Sequence, residues 1–308
     1  SRFAYTPMLP VMQNETSLGI ASGGFLATIH YLGYLLGVLM AFKTESVKAR
    51  ETFYFWGLFF SVVSTFTMAI SENYLIWFSS RFVAGFCGAA GIIIGAGLVM
   101  QWISENTDQK PQMGRYFAGA ALGITISAFS SIIFERFNLS WNAQWQSYSL
   151  IALLLFFPAW LFRPKLRVKY SSTKKSHTKK KEKFTSKKNN LHLPDSLKLM
   201  GMYFFSGFAF VVSATFTVAI VQSNFENQNI GSLAWLVVGI AGIPSVIAWD
   251  WVENKIGMQK ALCSAIIFHI ISLLLSAFFV NFYMLIFSAL FFGISHLGIV
   301  SLTMTIAG

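Results

Sequence analysis

Charge is what this sequence has least of. Asp, Glu, Lys and Arg make up 11% of its 308 residues, where a soluble domain carries about a quarter. Hydrophobic residues make up 55% and aromatic residues 17%, more apolar surface than a soluble chain of this length can hide. Acidic residues number only 12, and none lies in the middle of a hydrophobic run. Cysteine occurs twice, as Cys87 and Cys263, both inside hydrophobic runs. That excludes a disulfide-built scaffold and leaves both as packing residues. Enzyme signatures are missing too: there is no Gly-rich phosphate loop, no His-x-x-x-His pair and no Gly-x-Ser-x-Gly elbow. Of the five histidines, His177 and His192 fall in a polar stretch, while His30, His269 and His296 are scattered over separate runs. No catalytic residue, metal site or cofactor is expected.

What charge there is sits in one place. The stretch from Arg163 to Lys198 holds 13 of the 23 Lys and Arg residues and only two acids, Glu182 and Asp195, so it accounts for the whole net charge of +11. A Lys/Ser-rich, self-repelling run of this kind cannot bury enough apolar surface to fold alone. Beside hydrophobic spans it points to a membrane surface rather than to nucleic acid. The expected organisation is 1–162 as a first transmembrane bundle, 163–198 as a basic linker and 199–308 as a second bundle.

The hydrophobic runs are residues 1–12, then Leu18–Phe42, Thr52–Ser71, Tyr74–Ile103, Tyr116–Phe134, Tyr148–Phe162, Leu199–Val221, Leu233–Trp249, Ala261–Val280 and Phe282–Ala307. About 20 apolar residues cross a bilayer as a helix, and runs this long without alternation do not read as barrel strands. The fold class is therefore all-α transmembrane, with six spans before the linker and four after. The sixth run is short, and Trp141 and Trp145 ahead of it read as an interfacial anchor. No charged leader or cleavage site precedes the first run, so it does not read as a signal peptide. Both ends read as clipped. Loops on the linker's side carry Lys43, Lys48, Arg50, Lys110, Arg115, Lys255 and Lys260, and those on the other side only Arg136. The positive-inside rule then puts the linker in the cytoplasm.

Small residues recur four apart, as Gly19/Gly23, Gly33/Gly37, Gly91/Gly95 and Gly119/Gly123, a spacing that lets helix backbones approach in lipid. A loose internal repeat is visible as well. Gly85-Phe-Cys-Gly88 in the fourth run and Gly293-Ile-Ser-His296 in the tenth each follow a short outer turn. Repeated halves are common in secondary transporters.

These features meet in a family. Six spans, a basic loop and a second set of spans resemble the major facilitator superfamily. The opening Arg2-Phe-Ala-Tyr-Thr-Pro-Met-Leu-Pro10 is similar to the first helix of its YbfB/YjiJ branch, as is the second span, where an Asn usually stands in place of His30. Arg81-Phe-Val-Ala-Gly85-Phe-Cys-Gly-Ala89 fits the superfamily's Arg-x-x-x-Gly-x-x-x-Ala pattern, and residues 203–216 and 234–249 continue the match in order. The resemblance implies twelve helices, so the start of the first and all of the last two would be lacking here. It also implies a cytoplasmic gating loop. In the first half Ala41 stands at that loop's Asp position. In the second, Asn254, Lys255 and Gly257 stand for Asp, Arg and Gly.

Ionisable groups at membrane depth are costly and mark pathways. Here they are Arg2, Arg81, His30, His269 and His296. Arg81 either snorkels to the outer interface or faces a cavity. His30 and His296 are either neutral packing histidines or substrate contacts and proton carriers. His269, in a span peripheral in the family, reads as structural. Pro7 and Pro10 free carbonyls that can line a cavity. By resemblance, Tyr5, Tyr34, Phe210 and Thr215 join the substrate pathway. The expected function is secondary active transport of a small organic solute, an anion by the excess of buried positive charge, across a bacterial inner membrane. Alternating access, a proton as coupling ion, a monomeric state and no nucleic-acid partner go with it. A multidrug or sugar efflux transporter of the same superfamily is the alternative, and a scaffold or sensor acting through the linker is the alternative from another class. An integral-membrane enzyme would need a His/Asp or His/Glu pair near an interface, and none is evident.

Overall fold

The structure, a computed structural model, describes residues 2–106, 113–163, 193–224, 229–279 and 281–307. Residues 164–192 of the basic stretch lie outside the described residues, as do Lys110, His177 and His192. Among the described residues there is no strand. The elements are α1 (Tyr5–Glu15), α2 (Ile20–Lys43), α3 (Val47–Thr67), α4 (Tyr74–Ala89), α5 (Ala96–Asn106), α6 (Met113–Arg136), α7 (Trp141–Leu161), α8 (Leu193–Asn224), α9 (Asn229–Ile256), α10 (Met258–Phe278) and α11 (Phe282–Ala307). A π-helical turn, Ala90–Gly95, joins α4 and α5 into a single rod, Tyr74–Asn106. Among the described residues ten helical rods thus stand where ten runs were read.

Seven of the rods are long and apolar enough to cross a membrane, and the chain is a multi-pass membrane protein. The other three, α1, α3 and α7, fall short of that measure of length and composition; the run under α1 already read as truncated and the one under α7 as short. α1 has 11 residues. α3 opens with Lys48, Arg50 and Glu51, and α7 with Asn142, Gln144 and Gln146. The interfacial anchor is corrected. Trp141 and Trp145 lie inside α7 and are buried in protein. Trp141 stacks edge-on with Trp77, and Trp145 Nε1 donates to Met12 Sδ at 3.3 Å. The polar first turn of α7 hid the helix start. Its backbone is tied down by Glu15, whose carboxylate accepts from Trp141 N at 2.8 Å.

Helix starts follow local chemistry. Ser46 caps α3 by accepting from Ala49 N. Asn73 caps α4 and Asn281 caps α11, each accepting at 2.9 Å from the second backbone N–H of its helix. An N-cap of this kind is worth about 1 kcal/mol. The repeat seen in the sequence therefore extends to the turn. It extends to packing too. A Cβ on Gly85 of α4 would collide with the His30 carbonyl of α2, and a Cβ on Gly293 of α11 with the Val238 carbonyl of α9. Of the four-spaced glycine pairs, Gly33/Gly37 packs in this way, against the Phe82 and Phe86 carbonyls. Gly19, Gly91 and Gly119 meet open space, so spacing alone overstated their role.

α2 lies along α4, α10 along α11, α9 along α11 and α6 along α9, while α1 packs on α8. Outward faces carry exposed Leu, Ile and Phe such as Phe42, Leu154 and Phe205, the apolar coat a bilayer solvates.

Candidate functional site

The site is organised by the start of α1. Pro7 has no N–H to give to the carbonyl four residues earlier. That carbonyl, on Phe3, instead accepts from Trp235 Nε1 of α9 at 3.3 Å and Ser127 Oγ of α6 at 3.4 Å. Thr6 Oγ1 donates to the Ala214 carbonyl of α8. The chain's first turn is thereby pinned to three other helices, and it sets Arg2 among them.

The Arg2 guanidinium carbon lies 4.8 Å from the Phe210 ring centre, 5.4 Å from Tyr31 and 5.6 Å from Tyr34. Its Nε has no hydrogen-bond partner. Arg81 is buried, 3% exposed, with its guanidinium 4.1 Å over the Tyr5 ring. Tyr5 is itself fixed, its hydroxyl donating to the Gly23 carbonyl at 2.7 Å. A desolvated cation on an aromatic face gains about 2 kcal/mol. The Arg81 side chain is thus buried within the protein and lines an internal cleft.

Both arginines line one narrow cleft of about 10 Å³, with Tyr5, Thr6, Tyr31 and Thr215. Arg2, Phe3, Tyr31 and Phe210 also wall a second, larger cavity of about 620 Å³. It reaches Phe42 near the end of α2 and Met304 near the end of α11, the ends on the side of Lys43 and Lys255. The π-helical turn contributes Ile92 and Ile93 to its wall. Its Gly91 carbonyl accepts from the Tyr116 hydroxyl. Among the described residues no Asp or Glu lines either space.

Of the eight pathway residues read from the sequence, Arg2, Tyr5, Tyr34, Arg81, Phe210, Thr215 and His296 line these two spaces. His30 does not. It is 1% exposed, packed edge-on against Tyr31, and its backbone carbonyl lies against Gly85 of α4. It supports the wall from behind, because the α2 face that carries it turns toward α4. His296 lies in the wall, stacked at 3.7 Å on Phe210 and also on Phe292. His269 is buried, its Nδ1 is 3.1 Å from Ser295 Oγ, and its ring is 6.3 Å from that of His296.

Two carboxylates, Glu135 and Asp250, were missed because they sit near rod ends, where charge reads as loop. Glu135 Oε1 accepts from Ser131 Oγ at 3.1 Å and from Ser232 Oγ of α9 at 2.8 Å. Asp250, near the other end of α9, packs its carboxylate against Gly114 in the first turn of α6, where a Cβ would collide with it. A carboxylate there complements the helix N-terminus. In the predicted gating loop, Asn254 Nδ2 donates to the Asp250 carbonyl at 2.9 Å, and Lys255 lies over the Trp251 ring at 3.8 Å. Gly257 has φ +85° and ends α9 by donating its N–H to Glu253 O at 2.9 Å. The carboxylate that bridges to α6 is thus Asp250, one helical turn before the position where the loop pattern expects it. Among the described residues no group of three or more His, Cys, Asp or Glu is placed to hold a metal.

Residues 1–308 match the family described as uncharacterised MFS-type transporter YbfB. The chain belongs to the YbfB family of MFS-type transporters. It is 24% identical over 278 residues to the MFS-type transporter YceJ of Bacillus subtilis, covering 86% of this chain and 66% of that protein. It is 28% identical over 127 residues to the transporter mfc1 of Schizosaccharomyces pombe, covering 41% of this chain and 25% of that protein. The chain therefore spans under two thirds of the length of either. Its fold is similar to that of the nucleoside transporter NupG (D323A mutant), with a TM-score of 0.65, 14% identity, and coverage of 97% of this chain and 77% of that one. This likeness gives the YbfB-family chain the major facilitator fold.

Proposed function

We propose that this protein is a secondary active transporter that moves a small organic anion across the bacterial inner membrane by alternating access, coupled to protons. One observation carries the reading. A cavity whose walls, among the described residues, hold arginine and no acid lies where Arg2, Phe3 and α2 of the first part of the chain meet α8 and α11 of the second. An unneutralised guanidinium away from water costs several kcal/mol, so such a site favours an anion and disfavours the cations of multidrug exporters. The transporter names of the relatives and of the structural neighbour support the same class.

In this reading residues 1–162 and 199–308 rock as two bundles about the cavity, as a monomer, with the 163–198 linker on the cytoplasmic face. Hydrogen bonds from Thr6, Trp235 and Ser232 hold the bundles together at the end away from Lys43. The cavity reaches toward the opposite, basic end, where α6 and α9 also touch at Gly114 and Asp250.

The test is reconstitution of the full-length protein in proteoliposomes, with charge movement recorded on a solid-supported membrane. The probes are benzoate, octanoate and gluconate, with tetraphenylphosphonium as the cationic control. An imposed pH gradient is expected to drive current with at least one anion, and Arg2→Gln to abolish it. Current with the cation and none with any anion overturns the reading.

A further inference from the structure

The geometry points to a narrower class of ligand: a hydrophobic monocarboxylate, bound with its carboxylate at the two arginines and its apolar body in the larger cavity. This rests on the anion-transport reading of the same site and names its substrate class.

The head of the ligand is set by the cleft. Arg2 and Arg81 line the same space, which has room for about one water. A small planar carboxylate suits a gap of that size better than a bulky tetrahedral head. The donors are also placed for it. Phe210, Tyr31 and Tyr34 surround the Arg2 guanidinium within 5.6 Å. A guanidinium meets a carboxylate in its own plane with two parallel hydrogen bonds, and aromatic rings around it leave its N–H groups without acceptors of their own. Among the described residues Arg2 Nε has no hydrogen-bond partner.

The body is set by the cavity. Arg2, Phe3, Tyr31 and Phe210 belong to both spaces, so one molecule can occupy the cleft and the cavity together. The cavity's 620 Å³ lies within the range of about 300–1,000 Å³ that encloses a drug-sized molecule. Among the described residues that line it, Arg2 is the one Arg or Lys. A second carboxylate in the body of the cavity would sit among apolar side chains, which disfavours a dianion. Phe210 and His296, stacked on each other at 3.7 Å, both line the cavity with Phe3, Tyr31 and Tyr34, so aromatic side chains surround the body of the ligand.

The test measures binding, not flux. Full-length protein in lipid nanodiscs is titrated calorimetrically with 1-naphthoate, octanoate, 1-naphthamide, 2,6-naphthalenedicarboxylate and 1-naphthylmethylammonium. At least one of the two monocarboxylates is expected to bind, and 1-naphthoate about ten-fold or more tighter than its neutral amide. Arg2→Gln is expected to remove that preference, and Arg2→Lys, which keeps the charge but not the two-pronged geometry, to retain part of it. The comparison of acid with amide on the unaltered protein stands even if a variant fails to fold. Equal binding of the amide or the ammonium compound, tighter binding of the dicarboxylate, or no binding of either monocarboxylate overturns the inference. Monocarboxylate binding without proton-driven flux leaves the site as inferred and sinks the transport reading. Anion flux without monocarboxylate binding does the reverse.

Discussion

Glu135 and Ser232 join α6 to α9 across the two parts of the chain, with Ser232 Oγ donating to Glu135 Oε1 at 2.8 Å. The same oxygen accepts from Ser131 at 3.1 Å, while Oε2 has no partner. Hydrogen bonds to a charged group contribute about 1.5–3 kcal/mol. Glu135→Ala is therefore expected to lower the unfolding midpoint more than Glu135→Gln, whose amide oxygen still accepts. In a double-mutant cycle, Glu135→Ala and Ser232→Ala should couple by about 0.5–3 kcal/mol. Strictly additive losses would show that the contact holds nothing.

The stacking of Arg81 on Tyr5 separates two contributions. Tyr5→Phe keeps the ring under the guanidinium and loses only the bond to the Gly23 carbonyl, an expected cost of about 1 kcal/mol. Tyr5→Leu removes the aromatic face as well and should cost about 1–2 kcal/mol more. Equal unfolding midpoints for the two variants would mean that the ring face contributes nothing.

Backbone contact between α2 and α4 is tested at glycine. Gly85→Ala drives a methyl into the His30 carbonyl and is expected to destabilise by about 1–3 kcal/mol. Gly119→Ala, where nothing lies within 4 Å, should be neutral or stabilising by about 0.5–1 kcal/mol, since alanine favours helix. Denaturant unfolding of both variants decides. Similar effects at the two positions would contradict the crossing described for Gly85.

Orientation is tested by labelling. Cys263 is exposed, so it is first replaced by alanine. Asn138→Cys and Lys260→Cys then place thiols at exposed turns on opposite ends of the rods. A membrane-impermeant maleimide added to intact spheroplasts is expected to label position 138 and to reach 260 only after lysis. The reverse pattern would put the basic linker outside.

The sequence by itself determined the rods. Long uncharged runs, Asn73 and Asn281 ahead of α4 and α11, and the basic stretch between the halves are local features, and local physics reads them. It also singled out Arg2 and Arg81, because a charge in an apolar run has few places to be. Tertiary structure decided which way each rod faces. In a soluble helix polarity marks the solvent side, but here lipid and protein core are both apolar, and neither leaves a stripe. So His30 was read as a pathway residue, and packing turned it behind the wall. Trp145 was read as an interfacial anchor, and α7 began early enough to bury it. Glu135 and Asp250 looked like the ends of spans, and only the pairing of α6 with α9 made them bridges between the two parts of the chain.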